Sequence, residues 1–541
     1  APEAKELLGP RERARARVLR GQIIARDLGD QPEARLAAAG GELEAAVEED
    51  PTLLPARIAW ARFLLRRGAP EGTLAALEPV AAQGGSEVVD LRARALAASG
   101  RLLDATNVLD AALARAPADP RLVFTRGLVL AAGGKRAEAE GLYAQAAKDP
   151  GSWEAHLALG RSRLSAREVE KAAPEILLAA ERAPREPEAQ AGLGELRLAK
   201  GDLAGADEAF RRALSLDPSH AASHAGLARV AVERGDAGAA VASLERAVRF
   251  DPRAVEPRAL LGTLKWRRGD LAGAEVELRA AAVADPKNAL VRSRLGAVQL
   301  EMGRAESAVE HLLAASNLEV ALAENRHWLG RALLARGDAV PALEQLKKAV
   351  ELEPANALSY LWLGVAYDRT SNPGDAVDAY RSALARDPKL VDAAERLGLL
   401  YASLNHCPDA VPWFDKAIQL APREQRLRME LADCRARMGQ HAQAIQLYKD
   451  ALRANPKLVS CYYRIARAVH ESAGVREALP WYERAVREDR ANPMPHYYLG
   501  FAWKERGKRS RAVEAFRAYL RLRPDAEDRK DIEREIEDLG G

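Results

Sequence analysis

Apolar residues along this chain return at helical spacing, and the helices they predict come in pairs. Residues 187–220, PEAQAGLGELRLAKGDLAGADEAFRRALSLDPSH, show the unit. Leu193, Leu196 and Leu198 mark the apolar stripe of a first helix, which Gly201-Asp202 breaks. Ala206, Phe210, Ala213 and Leu214 mark a second helix. Asp217-Pro218 ends it, because proline cannot continue a helix and disfavours helical geometry in the residue before it. Gly194, Ala206 and Ala213 are small enough to let helices cross closely, and Phe210 is the knob that fills the space they leave.

The unit repeats. Leu-Gly recurs every 34 residues as Leu261-Gly262, Leu295-Gly296, Leu329-Gly330, Leu363-Gly364 and Leu397-Gly398. A fixed period of that size marks stacked helix–turn–helix units, each burying its faces against its neighbours. Repeats begin at 187, 221, 255, 289, 323, 357, 391, 425, 459 and 493, and earlier ones are recognisable at 54, 86, 120 and 153. Residues 1–53 read as a degenerate helical N-terminal segment, 54–322 and 323–526 as an N-terminal and a C-terminal array. Residues 527–541 read as a capping helix, with Ile532 and Ile536 on its apolar side. Two repeats depart from the pattern. Repeat 289–322 has Asn317-Leu318-Glu319 where the terminal proline is expected, and a bend is expected there. Repeat 391–424 has Asn405-His406-Cys407-Pro408 in place of the turn glycine, a second place where the local pitch is open to change.

Leu363, Gly364, Tyr367, Ala376, Tyr380, Ala383 and Pro388 give the repeat almost complete: Leu-Gly, a turn, then Ala, an aromatic, Ala and Pro at fixed offsets. In these residues the chain resembles the tetratricopeptide repeat family, of bacterial type, over roughly 54–526. The Thr-Pro-Leu-His signature of ankyrin repeats does not occur. The resemblance implies an all-α, right-handed superhelical solenoid of fourteen helix pairs whose first helices line a concave groove. Family members bind proteins or peptides in that groove and act as scaffolds.

Composition agrees with a helical array: 48% hydrophobic, 5% aromatic and 29% charged. The 81 basic and 78 acidic residues leave a net charge of only +3, which argues against a helical array built to bind RNA. Arg outnumbers Lys roughly fourfold, as GC-rich bacterial coding would produce. Arg11, Arg13, Arg15, Arg17 and Arg20 spread around a helix and form no single basic face. Cys407, Cys434 and Cys461 lack disulfide-framework spacing, and no apolar run is long enough to span a membrane. The opening residues do not read as a signal peptide. The opening Ala1-Pro2-Glu3 reads either as a mature end left by signal cleavage or as a boundary cut elsewhere. Periplasm or cell envelope is favoured slightly over cytoplasm.

Groove-facing residues fall at places 2, 5, 9, 12 and 13 of each repeat. The carboxylate clamp of chaperone-adaptor relatives uses Asn at place 9, and no Asn stands there in this chain. Arg does, as Arg62, Arg94, Arg161, Arg229, Arg331 and Arg467. These arginines suit acidic or C-terminal peptide segments; the alternative pairs them with acids at place 2, such as Glu87, Glu154, Glu188, Glu256 and Glu324. Aromatics are lopsided, eight in residues 1–320 and nineteen in 321–541, including Trp328, Trp362, Trp413, Trp481 and Trp503. Tyr367, Tyr380, Phe414, Tyr448 and Tyr482 occupy core places. Tyr463, Arg467, His470, Tyr497, Phe501 and Lys504 form the candidate partner-binding set, since aromatics beside Arg make interface hot spots.

Cys407 and His441 share place 17 of adjacent repeats, but layers about 10 Å apart are too far for shared zinc ligation at about 2.0–2.3 Å. No phosphate loop, metalloprotease helix or nucleophile elbow occurs. The expectation is a non-catalytic scaffold without metal or cofactor, part of a bacterial cell-envelope, motility or secretion assembly. The alternative is a regulatory or substrate-recognition module of an enzyme complex.

Overall fold

A computed structural model describes residues 9–26, 32–83, 85–149 and 151–541. Among the described residues there are thirty-one α-helices and no strand. The paired pattern is realised as read: the unit at 187 forms helices Pro187–Ala199 and Leu203–Leu216. The earlier repeats begin their first helices as Leu54–Arg66, Ser86–Ala98, Pro120–Ala132 and Trp153–Ser165. The chain forms two compact units, Ala1–Val298 and Gln299–Gly541, and the division falls inside the repeat that lacks its terminal proline.

The core of each repeat is one large residue of the second helix seated against a gap in the first. Phe210 is fully buried, and a Cβ built on Gly194 would stand 2.7 Å from its ring. Gly364 faces Tyr380, Gly398 faces Phe414 and Gly500 faces Phe516 in the same way, at 2.6, 2.8 and 2.4 Å. Where the knob is aliphatic, as at Ile176 or Leu346, the glycine persists at Gly160 and Gly330. This close crossing is why the Leu-Gly pair recurs.

The turn between paired helices needs one left-handed residue. Gly201 supplies it with φ 77°, and the hairpin closes with Asp202 N donating to Arg197 O at 2.9 Å. In the irregular repeat at 391, Asn405 takes the same position with φ 60°, and His406 N donates to Tyr401 O at 2.8 Å. Asn tolerates that conformation, so the hairpin keeps its form without glycine.

Within each unit, the first helices of successive repeats touch one another, as Leu54–Arg66 touches Ser86–Ala98 and Gln425–Arg437 touches Ser460–Ala473. Second helices make no comparable contact among the described residues. The first helices therefore line the inner side of the stack.

The N-terminal segment folds as a hairpin of Pro10–Arg26 and Pro32–Glu49. Its basic run is partly neutralised there: Arg17 pairs with Glu42 at 3.0 Å and Glu49 at 2.8 Å, and Arg20 with Glu42 at 3.2 Å. The tail forms Arg529–Asp538, whose Ile532 and Ile536 are buried with Val513 and Phe516 of the last repeat. No helix among the described residues is long and apolar enough to cross a membrane.

Candidate functional site

The six sequence-selected residues separate into two groups. Tyr463 and Arg467, on helix Ser460–Ala473, line a cleft of 630 Å³ together with Asp433, His441, Arg464 and Glu471. The Tyr463 ring lies 5.6 Å from that of Tyr498, and the Arg467 guanidinium stands 5.3 Å from the Tyr498 centroid while pairing with Glu471 at 3.1 Å. Asp433 accepts from both Tyr448 and Arg464. Burial raises the Tyr463 phenol, which stays a neutral hydrogen-bonding group at physiological pH.

The remaining residues are engaged elsewhere. His470 lies outside the lining of that cleft, with Nδ1 3.2 Å from the Tyr482 hydroxyl and Nε2 3.8 Å from Glu505. Tyr497 packs on Phe501 and Tyr519, with ring centroids 5.0 and 5.2 Å away, and Phe501 packs on Phe516 at 4.9 Å. Lys504 pairs with Glu535 of the terminal helix. Tyr497, Phe501 and Lys504 thus form part of the seat on which the chain's own last helix rests.

The place-9 arginines do not share one partner. Arg62 pairs with the place-2 acid Glu87, as the alternative reading expected. Arg161 instead forms a double contact with Glu195, at place 9 of the next repeat, with both distances 2.8 Å. Arg94 turns back to Asp90 at 2.5 Å and lies over Phe124 at 5.4 Å. Arg331 lies between two indoles, 4.2 Å from Trp328 and 4.6 Å from Trp362, and burial lowers its pKa. The register of acids along the helix decides these outcomes more than their place in the repeat: Asp90 and Glu471 are one helical turn from the Arg they hold.

A larger cleft, of 690 Å³, lies in the first unit, where sequence reading named no site. Phe124, Leu128, Leu157 and Trp153 contribute its apolar lining, and Arg66, Arg94, Arg136, Arg161, Glu154 and Glu188 its charges. Phe124 and Leu157 occupy place 5 and Leu128 place 9, so the groove columns held the signal. The count of aromatics drew attention to the other half of the chain.

Cys407 and His441 are not brought to one metal. Cys407 is buried in an apolar cluster with Cys434, while His441 Nδ1 lies 3.6 Å from Glu471. Among the described residues no group of three His, Cys, Asp or Glu side chains is arranged to hold a metal ion.

Stacked helix hairpins with clefts on their inner face define a helical-repeat protein. Models of the tetratricopeptide repeat match residues 91–152, 125–187, 157–214, 197–264, 329–391 and 395–458, together more than half of the chain. The chain belongs to the tetratricopeptide repeat family. No curated protein matches it. Among solved structures, MamA is 27% identical, covering 31% of this chain and 97% of its own, with TM-score 0.28. The Cut9-Hcn1 structure of the APC/C is 14% identical, with coverage of 90% and 96% and TM-score 0.37. The C-terminal part of a TPR repeat-containing protein from Cytophaga hutchinsonii is 15% identical, with coverage of 44% and 98% and TM-score 0.39.

Proposed function

We propose that the protein is a non-catalytic scaffold that holds partner proteins or peptides against its first-helix faces, within a bacterial cell-envelope, motility or secretion assembly. The observation that carries this reading is where the two clefts open. Each is lined by residues at places 5 and 9 of successive repeats: Phe124, Leu128 and Leu157 in one unit, Tyr463, Arg467 and Asp433 in the other. Those columns lie beside the cores built on Tyr143 and Tyr448 and bring charged groups to the clefts, Arg94 and Arg161 in one unit and Arg467 and Asp433 in the other. Concave faces of this kind supply the binding surfaces of repeat arrays. Membership of the family supports the scaffold part of the reading.

The test is a site-specific photocrosslinker carried in cells of the source organism at Trp153 or Tyr463, and at the outward-facing Val283 as a control. Val283 is 75% exposed on a second helix. Crosslinked partners are expected from the first two positions. Equal capture from Val283, or capture from Val283 alone, rejects the groove as the binding face.

A further inference from the structure

The larger cleft carries charges that the fold does not use, and they are arranged by sign. Arg94 and Arg161 are neutralised by Asp90 and Glu195. Arg66 and Arg136 are exposed and form no ion pair, and neither do Glu154 and Glu188 on the other side. First helices run side by side with the same polarity, so residues near their starts form one rim and residues near their ends the other. Glu154 and Glu188 stand at place 2, in the first turns of Trp153–Ser165 and Pro187–Ala199. Arg66 is in the last turn of Leu54–Arg66, and Arg136 opens Arg136–Ala146 just past the turn, beside that second rim. The result is an acidic rim, an apolar floor of Phe124, Leu128 and Leu157, and a basic rim.

The glutamates are at home on any helix N-terminus, and Arg66 suits a C-terminus. Arg136 does not fit that rule, because a helix dipole disfavours a cation at its first residue. A bound carboxylate there meets the guanidinium and the positive helix end together.

We propose that this cleft takes an extended segment of a partner protein that bears an acidic residue and a basic residue with an apolar side chain between them. Eleven helical residues at 1.5 Å each separate the rims along the axis and about 10 Å separates the adjacent repeats of Arg136 and Glu154, or about 19 Å in all. An extended chain covers that in about six positions. The acidic residue meets Arg136, the apolar one meets Phe124 and Leu128, and the basic one meets Glu154, on the first turn of the next repeat. The inference rests on the groove reading above and adds to it the chemistry of the occupant.

Random-peptide display on the full chain tests this, with the winning sequences remade as fluorescein-labelled synthetic peptides and measured by anisotropy. The expected winners carry an acid and a base about six positions apart around an apolar residue. The pair Arg66→Glu with Arg136→Glu should weaken such a peptide about tenfold or more. A peptide with its acid changed to Lys should recover binding to that double variant. Both substituted positions are exposed, and an unchanged helical circular dichroism signal shows that the variant is folded. Winners of a single charge sign, binding indifferent to the double reversal, or no winners at all would each overturn the proposal. If the photocrosslinks from Trp153 persist in any of those cases, the groove reading stands and only the occupant is wrong.

Discussion

Glycines in these helices should answer the same substitution with opposite signs. Gly226 lies on Ala221–Glu233, where an added Cβ would sit 2.4 Å from two ring atoms of Phe210. Phe210 is fully buried and already fills the gap opposite Gly194, so its ring has no free side to move into. Gly141 lies on Arg136–Ala146 with no heavy atom within 4 Å of the added methyl. Alanine gains about 0.5–1 kcal/mol over glycine in a helix interior through backbone entropy. Gly141→Ala keeps that gain whole. Gly226→Ala sets it against an overpacking cost of about 1–3 kcal/mol, for a net loss of up to about 2.5 kcal/mol. Because a repeat array need not unfold in one step, the measurement is hydrogen exchange resolved to peptides covering 136–146 and 203–233, alongside urea titration. Protection should rise in the first segment and fall in the second. A smaller knob, Phe210→Leu, should remove most of the penalty of Gly226→Ala in a double-mutant cycle. Gly226→Ala that stabilises as much as Gly141→Ala would refute the close-crossing account of the repeat.

Two further outcomes follow from buried groups. Burial, with Arg331 as a lesser cause, pushes His327 down to about 4. Its folded pKa is therefore below the unfolded value of about 6.5, so acid protonates the unfolded chain first and stability is lost as pH falls from about 6.5 to 4, by about 3 kcal/mol in all. Comparing urea midpoints of wild type and His327→Gln across that window checks it; parallel pH curves for the two would count against a buried neutral imidazole. Ile532→Asp places an unpaired charge where the terminal helix meets Val513 and Phe516, so that helix should detach, with loss of exchange protection over 529–538 and increased dye binding to exposed apolar surface. Unchanged protection there would mean that Arg529–Asp538 does not cover the last repeat.

The fold was legible because each repeat has one dominant local signal. Gly201 needs a left-handed φ, Pro218 forbids continuation, and Gly194 with Phe210 fixes the crossing; all three are one-residue requirements visible in a single sequence. Asn405 shows the limit of that logic. The residue looked like a break, and the structure uses it in the turn with φ 60°. The sites were less legible, for a different physical reason. Place 5 tells which way Tyr497 and Tyr463 leave their helices, and both do face the inner side. It does not tell what comes to cover them. Tyr497 stands next to the end of the array and packs on the cluster that holds Ile532 and Ile536 of the chain's own Arg529–Asp538, whereas Tyr463, one repeat earlier, lines a cleft.

Charges obey the same restriction more strongly. Whether an arginine on the inner face is spent or free depends on the acid one turn away or one repeat away. Arg94 finds Asp90 and Arg161 finds Glu195, while Arg136 finds none. A column of arginines is therefore a poor guide to a binding site, and the informative residue is the one whose charge neither a neighbour nor the helix dipole compensates. By that criterion the cleft of the first unit, poor in aromatics, is the better candidate. Its Arg136 is exposed and placed against the dipole of its own helix, a position that a partner's carboxylate would complete.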